Sequence, residues 1–168
     1  SNGSITSTVQ ANTTAGFSIV TYTGNATAGA TIGHGLGVKP AVIIVKQRTD
    51  SAEWLFNSHA FANNKAMYLN TTDALATDSF LNSTDPTTTV FTINGSNGAN
   101  GSSDNLVAYC FAEIKGYSKF GSYTGNITSG SDGTFVYTGF KPAWIMVKST
   151  SNSGQEWVIF CLLYTSDA

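Results

Sequence analysis

The chain has 168 residues, of which only 11% are charged, and its formal net charge is −2. Eight lysines and arginines form no basic stripe able to neutralise phosphates, so nucleic acid is excluded as a partner on electrostatic grounds. The longest apolar runs, Ala41–Val45 and Trp157–Leu163, are strand-sized and far short of the roughly 20 residues of a membrane-spanning helix, so no membrane insertion is expected.

Residues 1–15 are polar and aperiodic, and read as a linker or the end of a preceding element. They lack the cationic start and apolar stretch of a signal peptide, and Ser1 in place of Met implies a start further upstream. A strand is predicted next. Phe17, Ile19 and Thr21 alternate with Ser18, Val20 and Tyr22, and Thr23, Gly24 and Asn25 supply turn chemistry after them. The run Gly33, His34, Gly35, Leu36, Gly37 predicts a bend rather than an interior strand. From Ala41 to Lys46 the chain is apolar on both faces, which predicts a strand covered on both sides; Pro40 at its start costs no ladder hydrogen bond.

Further strands are predicted at Glu53–Phe56, Ala66–Leu69, Phe80–Leu81, Thr88–Ile93 and Leu106–Ile114, and no segment carries a helical period. In the last of these, Val107, Tyr109 and Phe111 share one face and small residues the other. Residues 94–105 are almost wholly Gly, Ser and Asn and read as a mobile exposed loop. Short strands separated by turn signals define the expected class: all-β, an antiparallel β-sandwich of jelly-roll type.

The chain also repeats itself. Gly16-Phe17-Ser18 and Tyr22-Thr23-Gly24-Asn25 return as Gly116-Tyr117-Ser118 and Tyr123-Thr124-Gly125-Asn126. Lys39-Pro40-Ala41-Val42-Ile43-Ile44-Val45-Lys46 returns as Lys141-Pro142-Ala143-Trp144-Ile145-Met146-Val147-Lys148, and Glu53-Trp54-Leu55 as Glu156-Trp157-Val158. The offset grows only from 116 − 16 = 100 to 156 − 53 = 103, so the copies differ by short loop insertions. We expect residues 16–115 to form a complete sandwich repeat and 116–160 an incomplete second copy, with strands at Tyr117–Tyr123, Phe135–Tyr137, Ala143–Lys148 and Glu156–Phe160. Tandem domains are the preferred arrangement, because the first copy has strands enough to fold alone. Two halves of one closed sandwich is the alternative. As a separate domain the second copy would lack the partners of 66–115 and expose strand edges and apolar faces.

No catalytic constellation is visible, and no cofactor or metal site is expected. His34, flanked by three glycines, invites a ligand-binding role, since a Gly-rich loop can bring backbone N–H groups to an anion. Against this, 136 − 34 = 102 places His34 opposite Val136, so the second copy does without it and a turn or packing role is the simpler reading. His59 has less context still. Neither histidine pairs with a recognisable Ser and Asp, and the acids are scattered through turn-like sequence where capping is their ordinary role. Glu53 and Glu113 are not placed by sequence as the two facing carboxylates of a glycosidase. Two cysteines make no disulfide framework; Cys110 reads as a small core residue. Eight Asn-X-Ser/Thr sites follow from the abundance of those residues.

Aromatic side chains are the better lead, because their large amphipathic faces stack on sugar rings or dock protein partners. Trp54 and Trp157 occupy equivalent positions, which a packing requirement explains. Trp144 replaces Val42 in an otherwise retained strand. It either refills a differently shaped core or stands on an accessible face as a ligand-binding residue, and its exposure decides between them.

The segments 16–25, 33–37, 39–46 and 107–126 together resemble a family of β-domains found in marine bacteriophage virion proteins and ocean metagenomes, often in tail-fibre-like proteins. The resemblance covers residues 16–160 and brings no catalytic residues. It implies a virion or extracellular location and a structural or tail-fibre-type module that binds a host-surface glycan or protein, alongside other virion proteins. Fibre proteins are commonly oligomeric, which multiplies weak contacts by avidity. An accessory or catalytic domain of a polysaccharide-degrading enzyme and an inert spacer are the alternatives. Residues 161–168 depart from the family pattern and read as a doubtful tail, a sequence artefact in which Cys161 carries no meaning.

Overall fold

The computed structural model describes residues 2–126 and 133–162. Among them the strands are β1 (Ser7–Asn12), β2 (Phe17–Thr23), β3 (Ala30–Gly33), β4 (Val42–Gln47), β5 (Leu55–Ser58), β6 (Lys65–Tyr68), β7 (Ala76–Thr77), β8 (Val90–Ile93), β9 (Asn105–Phe111), β10 (Trp144–Val147) and β11 (Val158–Cys161). One helical turn, α1 (Asn97–Asn100), interrupts the series. The strands pair in antiparallel fashion in a seven-stranded sheet of order β1-β2-β9-β4-β5-β6-β7 and two-stranded sheets β3-β8 and β10-β11.

The period of two along each strand decides which side chains meet. Val20 and Tyr22 on β2, Ile43 and Val45 on β4, and Leu106, Ala108 and Cys110 on β9 join Ile32 of β3 and Phe91 and Ile93 of β8 in one buried cluster. That cluster fills the space between the large sheet and β3-β8, which makes the fold a β-sandwich; each Ile or Phe fully buried there contributes about 1.5–3 kcal/mol. The opposite face of β4 and its neighbours carries a second cluster, in which Val42, Phe56 and Met67 are covered by Phe120, Met146 and Trp157. Apolar sequence on both faces of β4 therefore has its expected cause: both faces are covered.

Several expectations are corrected. Residues 1–15 are not a linker, because Ser7–Asn12 pairs along its whole length with β2 as the edge strand of the large sheet. Phe80 and Leu81 are buried, both 1% exposed, but lie in a turn rather than a strand. The Asp78 carboxylate accepts from the Phe80 N–H, and Asn82 and Ser83 take positive φ, so the backbone bends where sequence suggested extension.

The loop at 94–105 is not an exposed mobile segment. Ala99 and Asn100 are 0% exposed. The Asn100 side-chain oxygen accepts from the Asn25 N–H at 2.9 Å, and its amide donates to Asn25 Oδ1 at 3.2 Å and to the Thr27 carbonyl at 3.0 Å. The Asn100 carbonyl accepts from Ala26 N–H at 2.8 Å, and the Tyr22 hydroxyl donates to the Ala99 carbonyl at 2.8 Å. A composition that suits flexibility here supplies the donors and acceptors of a tied-down loop. Gly24 permits the approach, since a Cβ at this position would lie 2.2 Å from the Gly101 carbonyl oxygen.

Of the strands expected in the second copy, one hairpin forms among the described residues. β10 and β11 pair Trp144 with Cys161 and Val147 with Val158, the register in which β4 and β5 pair Val42 with Ser58 and Val45 with Leu55. Cys161 thus belongs to a strand, not to a meaningless tail; residues 163–168 lie outside the described residues. Tyr117–Tyr123 forms no counterpart of β2: the chain turns back through a bridge between Ile114 and Ser118. The reason is a conflict over one strand. Ahead of β2 stands β1, at 7–12; ahead of 117–123, at 7 + 100 = 107 to 12 + 100 = 112, stands β9, whose two edges are already bonded to β2 and β4. Phe135–Tyr137 is likewise exposed and without strand structure. The hairpin β10-β11 is not an independent second sandwich, since Met146 and Trp157 pack on the first copy.

Candidate functional site

Two surface features gather chemically useful groups. The first is a cleft of about 300 Å³ at the start of β4 and the end of β5, lined by Lys39, Asn57, His59, Asn63 and Asp85 among others. Its charges satisfy one another. Lys39 Nζ lies 2.9 Å from Asp85 Oδ2, and Asn63 donates to Asp85 Oδ1 at 3.3 Å. The hydrogen bond and charge of Lys39 hold the Asp85 carboxyl below the usual range. Asn57 donates to the Lys65 carbonyl at 2.8 Å. His59 Nε2 is 3.1 Å from the Phe120 carbonyl and 3.8 Å from Glu113 Oε1, so the imidazole faces the beginning of the second copy. Asp85 is the only carboxylate of this lining, whereas glycoside hydrolysis ordinarily takes two facing each other.

The second feature is an aromatic row on the outward face of the large sheet. Residues of β2 and β9 that do not enter the core must point away from it, and these positions hold Phe17, Ile19, Tyr109 and Phe111. Phe17 and Tyr109 have ring centroids 6.5 Å apart and planes inclined by 9°; Tyr109 and Trp54 follow at 6.3 Å and 16°. Phe111 leans on Phe17 at 4.8 Å and on Phe120 at 6.1 Å. Phe17, Tyr109 and Trp54 are each partly exposed. The result is a run of near-parallel rings on the outward face of the large sheet, each partly exposed. Such a surface can lie flat against the C–H face of a sugar ring or an apolar side chain without any charge to match.

The two residues nominated from sequence fall elsewhere. His34 is 0% exposed. The Leu36 N–H donates to its Nδ1 at 3.3 Å, so Nε2 carries the proton and faces the Thr87 carbonyl at 3.3 Å. Burial pushes its pKa below 6.5, against a smaller opposing effect of the Thr87 bond. This neutral, doubly bonded imidazole holds the β3 turn together and is closed to a ligand. Trp144 is 53% exposed on β10, so it stands on an accessible face rather than in a core. Trp157 donates from Nε1 to the Tyr68 carbonyl at 2.9 Å and meets Phe56 edge-on at 5.2 Å, a packing role.

Other buried titratable groups are structural. Burial raises the Cys110 thiol to about 12, with the Ser18 hydroxyl opposite it acting the other way. Burial likewise raises Tyr68 to about 12, helped by the bond from its hydroxyl to Asp78 at 3.0 Å. No group of three or more metal-ligating side chains occurs among the described residues, and among them no helix is long and apolar enough to cross a membrane.

Sequence reasoning missed the row although its signal was present. Period-two alternation already separated Phe17 from Val20, and Tyr109 from Ala108 and Cys110. What it could not say was that the small-residue face of β9 is the core face and the bulky one the outside.

Fold and surface together define an all-β sandwich domain whose distinctive exposed chemistry is aromatic rather than charged. Residues 1–163 match the model of a domain of unknown function, DUF7483, and the chain belongs to that family. No curated protein and no solved structure matches it.

Proposed function

We propose that this domain is a virion module of tail-fibre type that recognises a host-surface glycan, binding without turnover. The observation that carries the reading is the row Trp54, Tyr109, Phe17, three near-parallel rings partly open to solvent on a rigid sheet. A glycan suits it better than a charged protein surface, because 11% charged residues leave little for electrostatic complementarity. Ring stacking positions the sugar, Thr and Ser hydroxyls nearby hydrogen-bond its periphery, and oligomerisation of the full-length protein multiplies a weak single contact.

The virion location is part of the proposal and rests on the resemblance to marine phage virion proteins. Antibody raised against this chain should label purified virions of a phage encoding it. The intact chain should retain a host envelope polysaccharide on a column and release no reducing ends from it. Retention with chain cleavage would favour the polysaccharide-degrading alternative. No retention, with virions labelled, would leave an architectural spacer.

A further inference from the structure

The cleft at the start of β4 and the end of β5 holds hydrogen-bonding capacity that the fold does not use. Asn57 lines it and is only 7% exposed. It sits on the core side of β5, two residues after Leu55 and opposite Ile43 of the main cluster, where an apolar side chain is the ordinary choice. Its amide donates to the Lys65 carbonyl at 2.8 Å, which fixes Oδ1 as the other end of the group. Among the described residues no hydrogen bond reaches that Oδ1. A nine-tenths-buried acceptor left in this state costs stability unless something satisfies it. Ser18 Oγ is the only fully buried side-chain polar atom without a partner among the described residues, so Asn57 Oδ1 is not sealed in; it reaches solvent through the cleft that Asn57 lines.

The neighbouring groups narrow what could satisfy it. The Phe120 carbonyl can only accept, so His59 Nε2 carries the proton, and His59 Nδ1 has no partner among the described residues. Lys39 Nζ and Asp85 Oδ2, 2.9 Å apart, set a donor beside an acceptor, and both side chains keep an exposed flank. Their charges cancel, and the cleft has no other lysine, arginine or carboxylate among the described residues. An ion would therefore meet no net attraction to offset its loss of water, so the matching ligand is neutral. It donates and accepts at closely spaced points, which is what hydroxyl groups do. Pro40, Phe61 and Pro86 add an apolar wall for C–H surface. A sugar ring combines all three properties. The volume of about 300 Å³ lies at the lower end of small-molecule sites, roughly 300–1,000 Å³, which suits one ring rather than a chain of them.

We propose that this cleft binds one neutral sugar residue through Asn57, His59, Asp85 and Lys39. One ring hydroxyl donates to Asn57 Oδ1 and another to His59 Nδ1. A vicinal pair spans the ion pair, one hydroxyl donating to the Asp85 carboxylate and its neighbour accepting from the Lys39 ammonium, while the C–H face rests on Phe61. Hydrogen bonds to the two charged groups are the stronger part of the set. Trp54 precedes β5 and His59 follows it, so the cleft and the aromatic row lie at opposite ends of that strand. The inference therefore stands whether or not the row binds glycan.

The test titrates the intact, nitrogen-15-labelled chain with glucose, galactose, mannose and N-acetylglucosamine, and with glucuronate and glycerol as the charged and the ringless comparisons. Amide NMR signals are the readout. At least one of the neutral sugars should move the Asn57 and Asn63 side-chain amides and the backbone amides of 59–63 saturably, with glucuronate and glycerol binding more weakly. Asp85→Ala and Lys39→Met change exposed side chains, so both variants should melt close to the native temperature, and each should weaken the binding by about tenfold or more. Binding at the aromatic row would instead move amides of β2 and β9, so the two readings fail separately. Three results overturn the proposal: no saturable shift at the cleft with any of the neutral sugars, an affinity that either variant leaves unchanged, or glucuronate or glycerol binding as tightly as the best neutral sugar.

Discussion

Trp54, which immediately precedes β5, stacks on Tyr109 of β9 with ring centroids 6.3 Å apart and planes 16° from parallel, and β4 lies between those two strands in the sheet. The pair ties the outward face of β9 to the start of β5 and presents one continuous aromatic surface. Truncating either ring removes both a packing contact and part of that surface. A double-mutant cycle of Trp54→Ala and Tyr109→Ala, read by chemical denaturation, should give a coupling of about 0.5–1.5 kcal/mol. Additive effects would mean the rings lie side by side without supporting each other.

Gly24 and Gly125 occupy the same motif in opposite environments. Gly24→Ala forces a methyl group into the Gly101 carbonyl and should cost about 1–3 kcal/mol, because backbone rather than a flexible side chain must move. A Cβ at Gly125 meets nothing within 4 Å among the described residues, and Gly125→Ala should change stability by less than about 0.5 kcal/mol. Thermal melting of the two variants side by side reads the difference directly.

Asn100 is the knot of the loop end. Replacing it with Ala removes the three bonds of a fully buried side chain, to the Asn25 N–H, Asn25 Oδ1 and the Thr27 carbonyl; Oδ1 and the carbonyl keep the Thr27 and Ala30 N–H groups, whereas the Asn25 N–H loses its acceptor. A loss of roughly 2–3 kcal/mol is expected. Proteolysis should show the same event as a new cleavage within 94–105, a segment that the native chain protects.

His34 gives the fold a dependence on pH with a definite sign. Its folded pKa lies below the ordinary 6.5, so between these values the unfolded chain binds the proton and the folded one does not. Stability is therefore fully present above about pH 6.5 and falls as pH drops through 6.5 towards the folded value. His34→Gln removes this titration, and denaturation curves from pH 7.5 to 5 should be flatter for the variant, whatever its stability at neutral pH. Parallel curves would place the acid sensitivity elsewhere.

What sequence could and could not show follows from the range of the interactions. Strands such as Phe17–Thr23 and Val42–Gln47 were legible because alternation and β-branching are local properties. β1 was not, since Ser7–Asn12 is a strand only by virtue of pairing with β2. Loop 94–105 was misread because composition records a chain's freedom and not the partners that remove it; Asn25 and Thr27 lie some 70 residues away. The repeat led to a strand at 117–123 that does not form, because pairing depends on a free neighbouring edge and β9 has none left. Of the nominated site residues, Trp144 is accessible and His34 is sealed. The aromatic row was hidden by an ambiguity of face that only the packing of β3 and β8 resolves.

The most direct test of recognition through this surface is the affinity of the intact chain for immobilised envelope polysaccharide from the host bacterium, compared with Trp54→Ala and Tyr109→Ala variants shown by melting to be folded. The account predicts saturable binding by the native chain, weakened about tenfold or more by either substitution and little altered by Trp144→Ala. Equal binding by all four proteins, or none by the native chain, would contradict it.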